Sequence, residues 1–205
     1  MSKIKLTYFG FNGGRGEPVR MALAIGGIVF EDIRINFEQF REQQTSFPLH
    51  AVPTMEVDGV VHTQSNAMTR YAGKLAGLYP NDPWQAFLCD EILEITEDAS
   101  VAMVKTFGLE GDAMQEAREN LVSGPFTRIL KLLDARLENA GGGYFSDGQL
   151  TVADLKAFVW LRSLSSGILD HVPTDLTSQV VPKLTDYMNR VAAEPRVADY
   201  LAKLS

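Results

Sequence analysis

The sequence predicts an α/β domain followed by an all-helical domain, and three observations lead to this fold class. The first 80 residues alternate strand and helix signals, whereas the residues after 84 show helical periodicity. Between them, the segment LYPNDPW at 78–84 contains two prolines, which is typical of a domain boundary. We therefore predict one domain at 1–80 and a second at 84–205.

The first domain is predicted to have the element order β-α-β-loop-β-β-α, which is not a Rossmann repeat. Ile4–Phe9 alternates apolar and polar residues before ending in two aromatics, as a strand does. Pro18 suits the first turn of a helix that Gly26 and Gly27 end. Asp58-Gly59 predicts a hairpin turn. The remaining predicted elements are a strand at 29–36, an irregular segment at 37–50, hairpin strands at 54–57 and 60–62, and a helix from residue 66.

The second domain is predicted to contain only helices. Thr151 and Asp154 in the segment LTVADLKAF form a capping box that opens a very apolar helix. We assign these two residues to folding, and we expect Trp160 and Leu161 of the same helix to lie in the core. The other predicted helices cover 84–107, 112–138 with a kink or break at the Gly-Pro pair 124–125, 178–193 and 197–204.

Composition narrows the class of protein. A net charge of -7 and a pI near 5.0 argue against a nucleic-acid surface. No stretch approaches the roughly 18 apolar residues of a membrane span. A single cysteine, Cys89, excludes an internal disulfide, and the three histidines are too scattered for a metal cluster. We expect a cytoplasmic protein without nucleic-acid or membrane partners.

The glycine-rich stretch LTYFGFNGGRGEPVR, at 6–20, raises the possibility of a nucleotide loop. The third glycine of the dinucleotide pattern G-x-G-x-x-G is missing after Gly14 and Gly16, and the P-loop pattern is absent from the sequence. We reject a nucleotide site here.

Three separated pieces predict a different ligand. Tyr8 ends the first strand, where its phenol can point toward the loops. Pro53 directly precedes a strand and is a candidate for a cis peptide that leaves the backbone of Val52 open to an extended peptide. Gln64 and Ser65 begin a helix, whose free N–H groups suit a carboxylate. Together they predict a site for a small acidic thiol peptide.

Four ordered motifs, LTYF…GRGEPVR, VPTMEVDG, QSNAMTRY and LTVADL, resemble the glutathione transferase superfamily. They are most similar to its sigma class, the branch that includes haematopoietic-type prostaglandin D synthases, and the resemblance covers essentially the whole chain. It implies a thioredoxin-like N-terminal domain that binds glutathione, an all-helical C-terminal domain that contributes a hydrophobic acceptor site, and a homodimer.

The resemblance also implies a role for individual residues. Tyr8 would be the catalytic residue, donating a hydrogen bond to the glutathione sulfur, with Arg15 nearby. Gln64 and Ser65 would hold the γ-glutamyl carboxylate. Val52 would pair with the cysteinyl backbone, and Pro53 would be the cis-proline.

The glycyl end of glutathione is where this chain departs from the family. Members usually offer a tryptophan, a lysine and a glutamine or lysine there, and this chain has Phe40, Gln44 and Ala51. Because a cation and a donor are lost, we expect weaker glutathione binding than is typical, unless a group such as His50 compensates.

Three acidic residues, Glu94, Glu97 and Asp98, share one face of the predicted helix that begins at 84. A solvated acidic face explains them, while the resemblance implies that Asp98 reaches the glutathione ammonium of the other subunit. The same three would be the ligands if a divalent cation were bound, although we expect no metal.

The acceptor site is predicted to lie between Tyr8, the loop that follows it and the helix after residue 84. We expect Cys89, within that helix, to be buried rather than catalytic. The candidates for the acceptor site are Phe11, Gly14, Met103, Thr106 and Phe107.

Three functions remain open at this point. The first is detoxification by conjugation of glutathione to small hydrophobic electrophiles. The second is a glutathione-dependent isomerase or peroxidase, similar to prostaglandin D synthase. The third is a non-catalytic ligand carrier or crystallin-like relative, and the sequence does not identify a physiological substrate.

Overall fold

The computed structural model describes residues 2–204 and contains a four-stranded sheet with helices, followed by a helical part. This arrangement confirms the predicted fold class, a thioredoxin-like N-terminal domain followed by a helical domain. The strands are β1 Ile4–Phe9, β2 Phe30–Ile35, β3 Thr54–Val57 and β4 Val60–His62. The helices are α1 Glu17–Ile25, α2 Phe37–Gln43, α3 Ser65–Ala76, α4 Pro83–Val104, α5 Gly111–Leu121, α6 Thr127–Asn139, α7 Val152–Ser165, α8 Leu176–Val180, α9 Pro182–Ala193 and α10 Pro195–Ala202.

The sheet has the strand order β2-β1-β3-β4, with β1 and β2 parallel and the other neighbours antiparallel. Along β1 the buried side chains alternate with half-exposed ones, as the period of two in the sequence predicts. Ile4, Leu6 and Tyr8 therefore share one face. Tyr8 thus lies at the end of the strand on its core-facing side.

The core continues from the sheet into the helical part. Helix α1 packs against α3, and it also contacts α7 and α10 from the second half of the chain. Helix α7 is buried at every position from Val152 to Leu161. That helix is therefore the centre of the helical part, as its apolar sequence predicts. None of the helices in residues 2–204 is long and apolar enough to cross a membrane.

The prediction of an irregular segment at 37–50 was wrong for its first half, where α2 forms. A capping box starts this helix, since the Asn36 side chain accepts from the Gln39 N–H and the Gln39 side chain accepts from the Asn36 N–H. Two short 3-10 turns, Gln44–Ser46 and Pro48–His50, complete the segment.

Two helical stretches of the structure differ in detail from the helices that the sequence predicts. The stretch at 112–138 is continuous through Pro125. A π-helical turn, Val122–Phe126, contains this proline and joins α5 to α6. The helix predicted at 178–193 is divided into α8 and α9. Val181 adopts an extended φ of -146° before Pro182, since a proline disfavours helical geometry in the residue that precedes it.

Candidate functional site

Tyr8 lies at the carboxyl end of β1 with only 6% of its surface exposed. Its hydroxyl oxygen accepts a hydrogen bond from the backbone N–H of Arg15 at 3.1 Å. Burial raises the pKa of Tyr8 above its ordinary value, and the Arg15 N–H opposes that shift in part. The phenol is therefore protonated at neutral pH. Because its oxygen already accepts from Arg15, its proton is available to an acceptor bound in front of it.

The glycine-rich loop passes directly over Tyr8. A Cβ atom at Gly14 would lie 2.5 Å from the Tyr8 hydroxyl, and one at Gly16 would lie 2.4 Å from its ring. Gly14 also has a φ of +64°, which a residue with a side chain rarely adopts. The glycines at these two positions are what allow the loop to approach the phenol this closely.

Arg15 connects this loop to the helical part of the chain. Its Nε donates to Glu97 Oε1 at 2.6 Å, and Glu97 Oε2 accepts from Lys156 Nζ at 2.7 Å. Burial alone would raise the pKa of Glu97, but the cations of Lys156 and Arg15 lower it. Lys156 also donates to the side-chain oxygen of Asn66, at the start of α3.

Sequence reasoning missed Lys156 and Asn66. The available signal was a lysine within an otherwise apolar helix, in the segment TVADLKAFVW. A charge at such a position is seldom buried unless it is paired.

The residues predicted to bind a peptide backbone lie before β3. The Val52-Pro53 peptide bond, the candidate for a cis bond, is cis. Pro53 is buried and Val52 is half-exposed, while Ala51 is extended and exposed. Val52 is thus partly accessible directly before β3 begins.

The start of α3 is open to solvent at Gln64. This residue has a φ of +74°, which is strained for a residue other than glycine. Within the described residues its side chain makes no capping bond to α3, so the helix begins without a side-chain acceptor. With Ser65 half-buried beside it, the first turn of α3 offers backbone N–H groups to an anion.

Phe40 and Gln44 lie on α2 and in the 3-10 turn that follows it. Phe40 is half-buried and packs edge-on against Phe9 and parallel to Phe47. Gln44 is exposed, and its side-chain nitrogen donates to the backbone carbonyl of His50 at 3.4 Å. Both residues therefore lie in the segment 37–50 that precedes β3, and Phe40 contributes only apolar surface there.

The three acidic residues of α4 have different surroundings. Glu94 binds Arg70 at 2.6 Å, Glu97 binds two cations, and Asp98 is exposed. In residues 2–204 no three His, Cys, Asp or Glu side chains are grouped as for a metal ion. The first two carboxylates are already paired with cationic side chains.

The predicted acceptor residues divide into two groups. Phe11 is 44% exposed and packs edge-on against Tyr8 at 5.7 Å between ring centroids, and its ring lies 3.2 Å from a Cβ built at Gly14. Phe107 is exposed, whereas Met103 and Thr106 are buried. The Thr106 hydroxyl donates to the Met103 carbonyl and accepts from an arginine of α5, so it is committed to the interior of the helical part.

Three residues predicted to have structural roles have them. Cys89 is fully buried, and burial raises the pKa of its thiol to about 11. Trp160 and Leu161 are also buried in the core.

Comparison with known proteins gives two family matches. Residues 4–74 match "Glutathione S-transferase, N-terminal domain" and residues 97–204 match "Glutathione S-transferase, C-terminal domain". The chain is 33% identical to glutathione S-transferase 2 of Manduca sexta over 98% of its own length and 96% of the relative. It is 29% identical to S-crystallin SL11 of Nototodarus sloanii, with 96% and 95% covered. The structure of prostaglandin synthase D of Nilaparvata lugens superposes with a TM-score of 0.85 at 28% identity, covering 98% of each chain.

Proposed function

The chain belongs to the glutathione S-transferase family, and from this premise we propose that Tyr8 activates the glutathione thiol for transfer to small hydrophobic electrophiles. Glutathione is the co-substrate of this family. The observation that carries the proposal is the buried, protonated phenol of Tyr8, whose oxygen accepts from the Arg15 N–H.

Tyr8 acts as a hydrogen-bond donor to the thiolate. A free thiol has a pKa of about 8.5, so the thiolate is the minor form at neutral pH. Lowering that pKa by about two units requires about 2.7 kcal/mol of preferential stabilisation of the anion. A charge-assisted O–H···S⁻ hydrogen bond in a desolvated site, together with the positive charge of Arg15, is of this size.

The peptide backbone and carboxylates of glutathione bind around β3 and α3. The half-exposed Val52 before the cis Pro53 pairs with the cysteinyl residue, and Gln64 and Ser65 hold the γ-glutamyl carboxylate at the start of α3. The strained φ of Gln64 supports this assignment, since backbone strain of this kind concentrates at ligand sites. Phe40 and Gln44 take the glycyl end.

The acceptor site lies beside the sulfur. Phe11 and Gly14 line it from the loop that covers Tyr8, and the exposed Phe107 lines it from the residues that follow α4. Of the other residues predicted for this site, Met103 and Thr106, both are buried in the helical part and are left out of the proposed lining. The exposure of Phe11 and Phe107 supports a hydrophobic acceptor. In this proposal 1–80 is the glutathione-binding domain, 84–205 contributes the acceptor site, and proximity of the two substrates supplies much of the rate enhancement.

We also propose that the protein is a sigma-class homodimer that acts in cytoplasmic detoxification. Asp98 of each subunit then binds the glutathione ammonium of the other. Asp98 is exposed and forms no ion pair among residues 2–204, which leaves its carboxylate free for that contact.

Thioether formation with a dinitro-substituted aryl chloride tests the proposal. We expect Tyr8→Phe to lower kcat/KM by about 10- to 100-fold, because one charge-assisted hydrogen bond to the thiolate is lost. Tyr71→Phe, which removes a half-buried phenol on α3, is the matched control and should retain activity. Equal activity of Tyr8→Phe and wild type would contradict the role of Tyr8.

Two other functions have support among the relatives. A glutathione-dependent isomerase or peroxidase is favoured by the similarity to prostaglandin synthase D, and a crystallin-like role by the similarity to S-crystallin. A wild-type protein that turns over prostaglandin or hydroperoxide substrates but no aryl chloride would select the first. Absence of turnover in all three assays would select the second.

A further inference from the structure

Lys156 lies inside helix α7, which is buried from Val152 to Leu161. Its side chain is 4% exposed, and its neighbours Leu155 and Ala157 are fully buried. A lysine in such surroundings requires partners for its charge. It has two, since its ammonium donates to Glu97 Oε2 at 2.7 Å and to the side-chain oxygen of Asn66.

These two partners lead to both halves of the site. Through Glu97, Lys156 is connected to Arg15, whose Nε lies 2.6 Å from the other carboxylate oxygen and whose N–H donates to Tyr8. Its other partner, Asn66, directly follows Ser65 at the start of α3. One buried ammonium thus links the loop over Tyr8 with the helix that would hold the γ-glutamyl carboxylate.

The charges of Arg15, Glu97 and Lys156 sum to one net positive charge near Tyr8. Arg15 and Lys156 each contribute one positive charge, and Glu97 contributes one negative charge. Burial lowers the pKa of Lys156, while Glu97 and Glu94 oppose that shift. The other charged groups on neighbouring elements are Glu94 and Asp90, which share Arg70, the exposed Asp98, and Arg20, which is paired with Glu17 and Asp32.

We infer that Lys156 is a positioning residue for the thiolate: it neutralises Glu97, so that the positive charge of Arg15 remains available to the sulfur bound at Tyr8. Without Lys156, the negative charge of Glu97 cancels the positive charge of Arg15, and no net positive charge remains near the sulfur. This inference rests on the proposed function, because it concerns glutathione bound at Tyr8.

Lys156→Met tests the inference, because methionine keeps the length of the side chain and removes its charge. We expect the pKa of the thiol of bound glutathione to rise by about one unit. At any pH below that pKa, about tenfold less of the thiol is then in the thiolate form. The ultraviolet absorbance of the thiolate during a pH titration measures this shift directly. The pH profile of kcat/KM should move in the alkaline direction by the same amount.

The double variant Glu97→Gln, Lys156→Met separates charge from packing. It removes one charge of each sign, so Arg15 again supplies a net positive charge. We expect the pKa of the bound thiol to return to the wild-type value, which a merely structural role of Lys156 would not produce. Lys183→Met is the matched control, since Lys183 forms an exposed ion pair with Glu138 on the helical part, and it should leave the titration unchanged.

The outcomes are distinct. A thiol titration unchanged in Lys156→Met, or shifted equally in the single and double variants, would overturn the inference. If Lys156→Met does not fold, the double variant, which contains no unpaired buried charge, decides: a wild-type thiol pKa supports the inference and a raised one overturns it. A wild-type protein that neither binds glutathione nor lowers its thiol pKa would refute the proposed function instead.

Discussion

The glycines of the loop over Tyr8 differ in how much room each has for a side chain. The Tyr8 side chain leaves no room for a Cβ atom at Gly14 or Gly16, at distances of 2.5 and 2.4 Å. Gly13, one position earlier, is different, because a Cβ there would meet its nearest atom, in Phe11, at 3.5 Å. Two adjacent glycines in one loop thus have different steric requirements.

This difference predicts the effect of adding a single methyl group. Gly14→Ala forces the loop away from the Tyr8 hydroxyl and places alanine at a φ of +64°, so we expect a loss of at least about tenfold in kcat/KM and of about 1–3 kcal/mol in the free energy of unfolding. Gly13→Ala should change the free energy of unfolding by less than about 1 kcal/mol. Urea unfolding and the aryl chloride assay measure both variants, and equal losses would show that the close approach to Tyr8 is unimportant.

At the scale of a single element, helix α7 depends on the buried carboxylate of Asp154. Its two oxygens accept from the N–H of Phe145, the N–H and hydroxyl of Thr151, and the hydroxyl of Tyr187, all within 3.1 Å. The capping box predicted from the sequence is therefore confirmed, and it extends to α9 through Tyr187. The start of α7 is fixed by bonds to residues both before and after it.

Asp154→Ala is expected to be far more damaging than the loss of an ordinary helix cap. It leaves several buried donors without an acceptor, at a cost of about 1–3 kcal/mol each, so we expect at least about 3 kcal/mol of destabilisation. Asp82 provides the matched comparison, because it is exposed and, among residues 2–204, accepts only from the N–H groups of Trp84 and Gln85 at the start of α4. Asp82→Ala should cost about 1 kcal/mol. Chemical denaturation of both variants checks the difference, and similar losses would contradict it.

At the scale of the whole molecule, buried polar contacts join the first and last helices. The Tyr200 hydroxyl of α10 donates to Glu17 of α1 at 2.8 Å, and Glu17 also binds Arg20. Burial, reinforced by the Glu17 carboxylate, raises the pKa of Tyr200 far above its ordinary value. The C-terminal helix is therefore attached to the N-terminal domain by a phenol that must remain protonated.

Stability is expected to fall at alkaline pH for this reason. Above about pH 10 the unfolded chain releases the Tyr200 proton while the folded protein retains it, so the free energy of unfolding decreases as the pH rises. Each such group contributes a slope of about 1.4 kcal/mol per pH unit. Tyr200→Phe should lose some stability at neutral pH but show a shallower decline above about pH 10. Urea unfolding at a series of alkaline pH values measures this, and parallel curves would contradict it.

The sequence by itself determined the features that depend on interactions between residues close together in the chain. The alternation along β1, the Asp58-Gly59 turn, the capping box of α7 and the cis-proline candidate before β3 were all readable from neighbouring residues, and the structure agrees. The short α2 was missed although its capping box is equally local.

Tertiary structure alone decided which charges meet. Arg15 and Glu97 are 82 positions apart, and Lys156 and Glu97 are 59 apart. A periodicity predicts which face of a helix is buried, but it does not predict which side chain of another element faces a given position. The acidic face of α4 and the lysine of α7 therefore have a meaning only once α4, α7 and the loop after β1 are packed together, because an ion pair depends on the distance between its atoms in the folded chain.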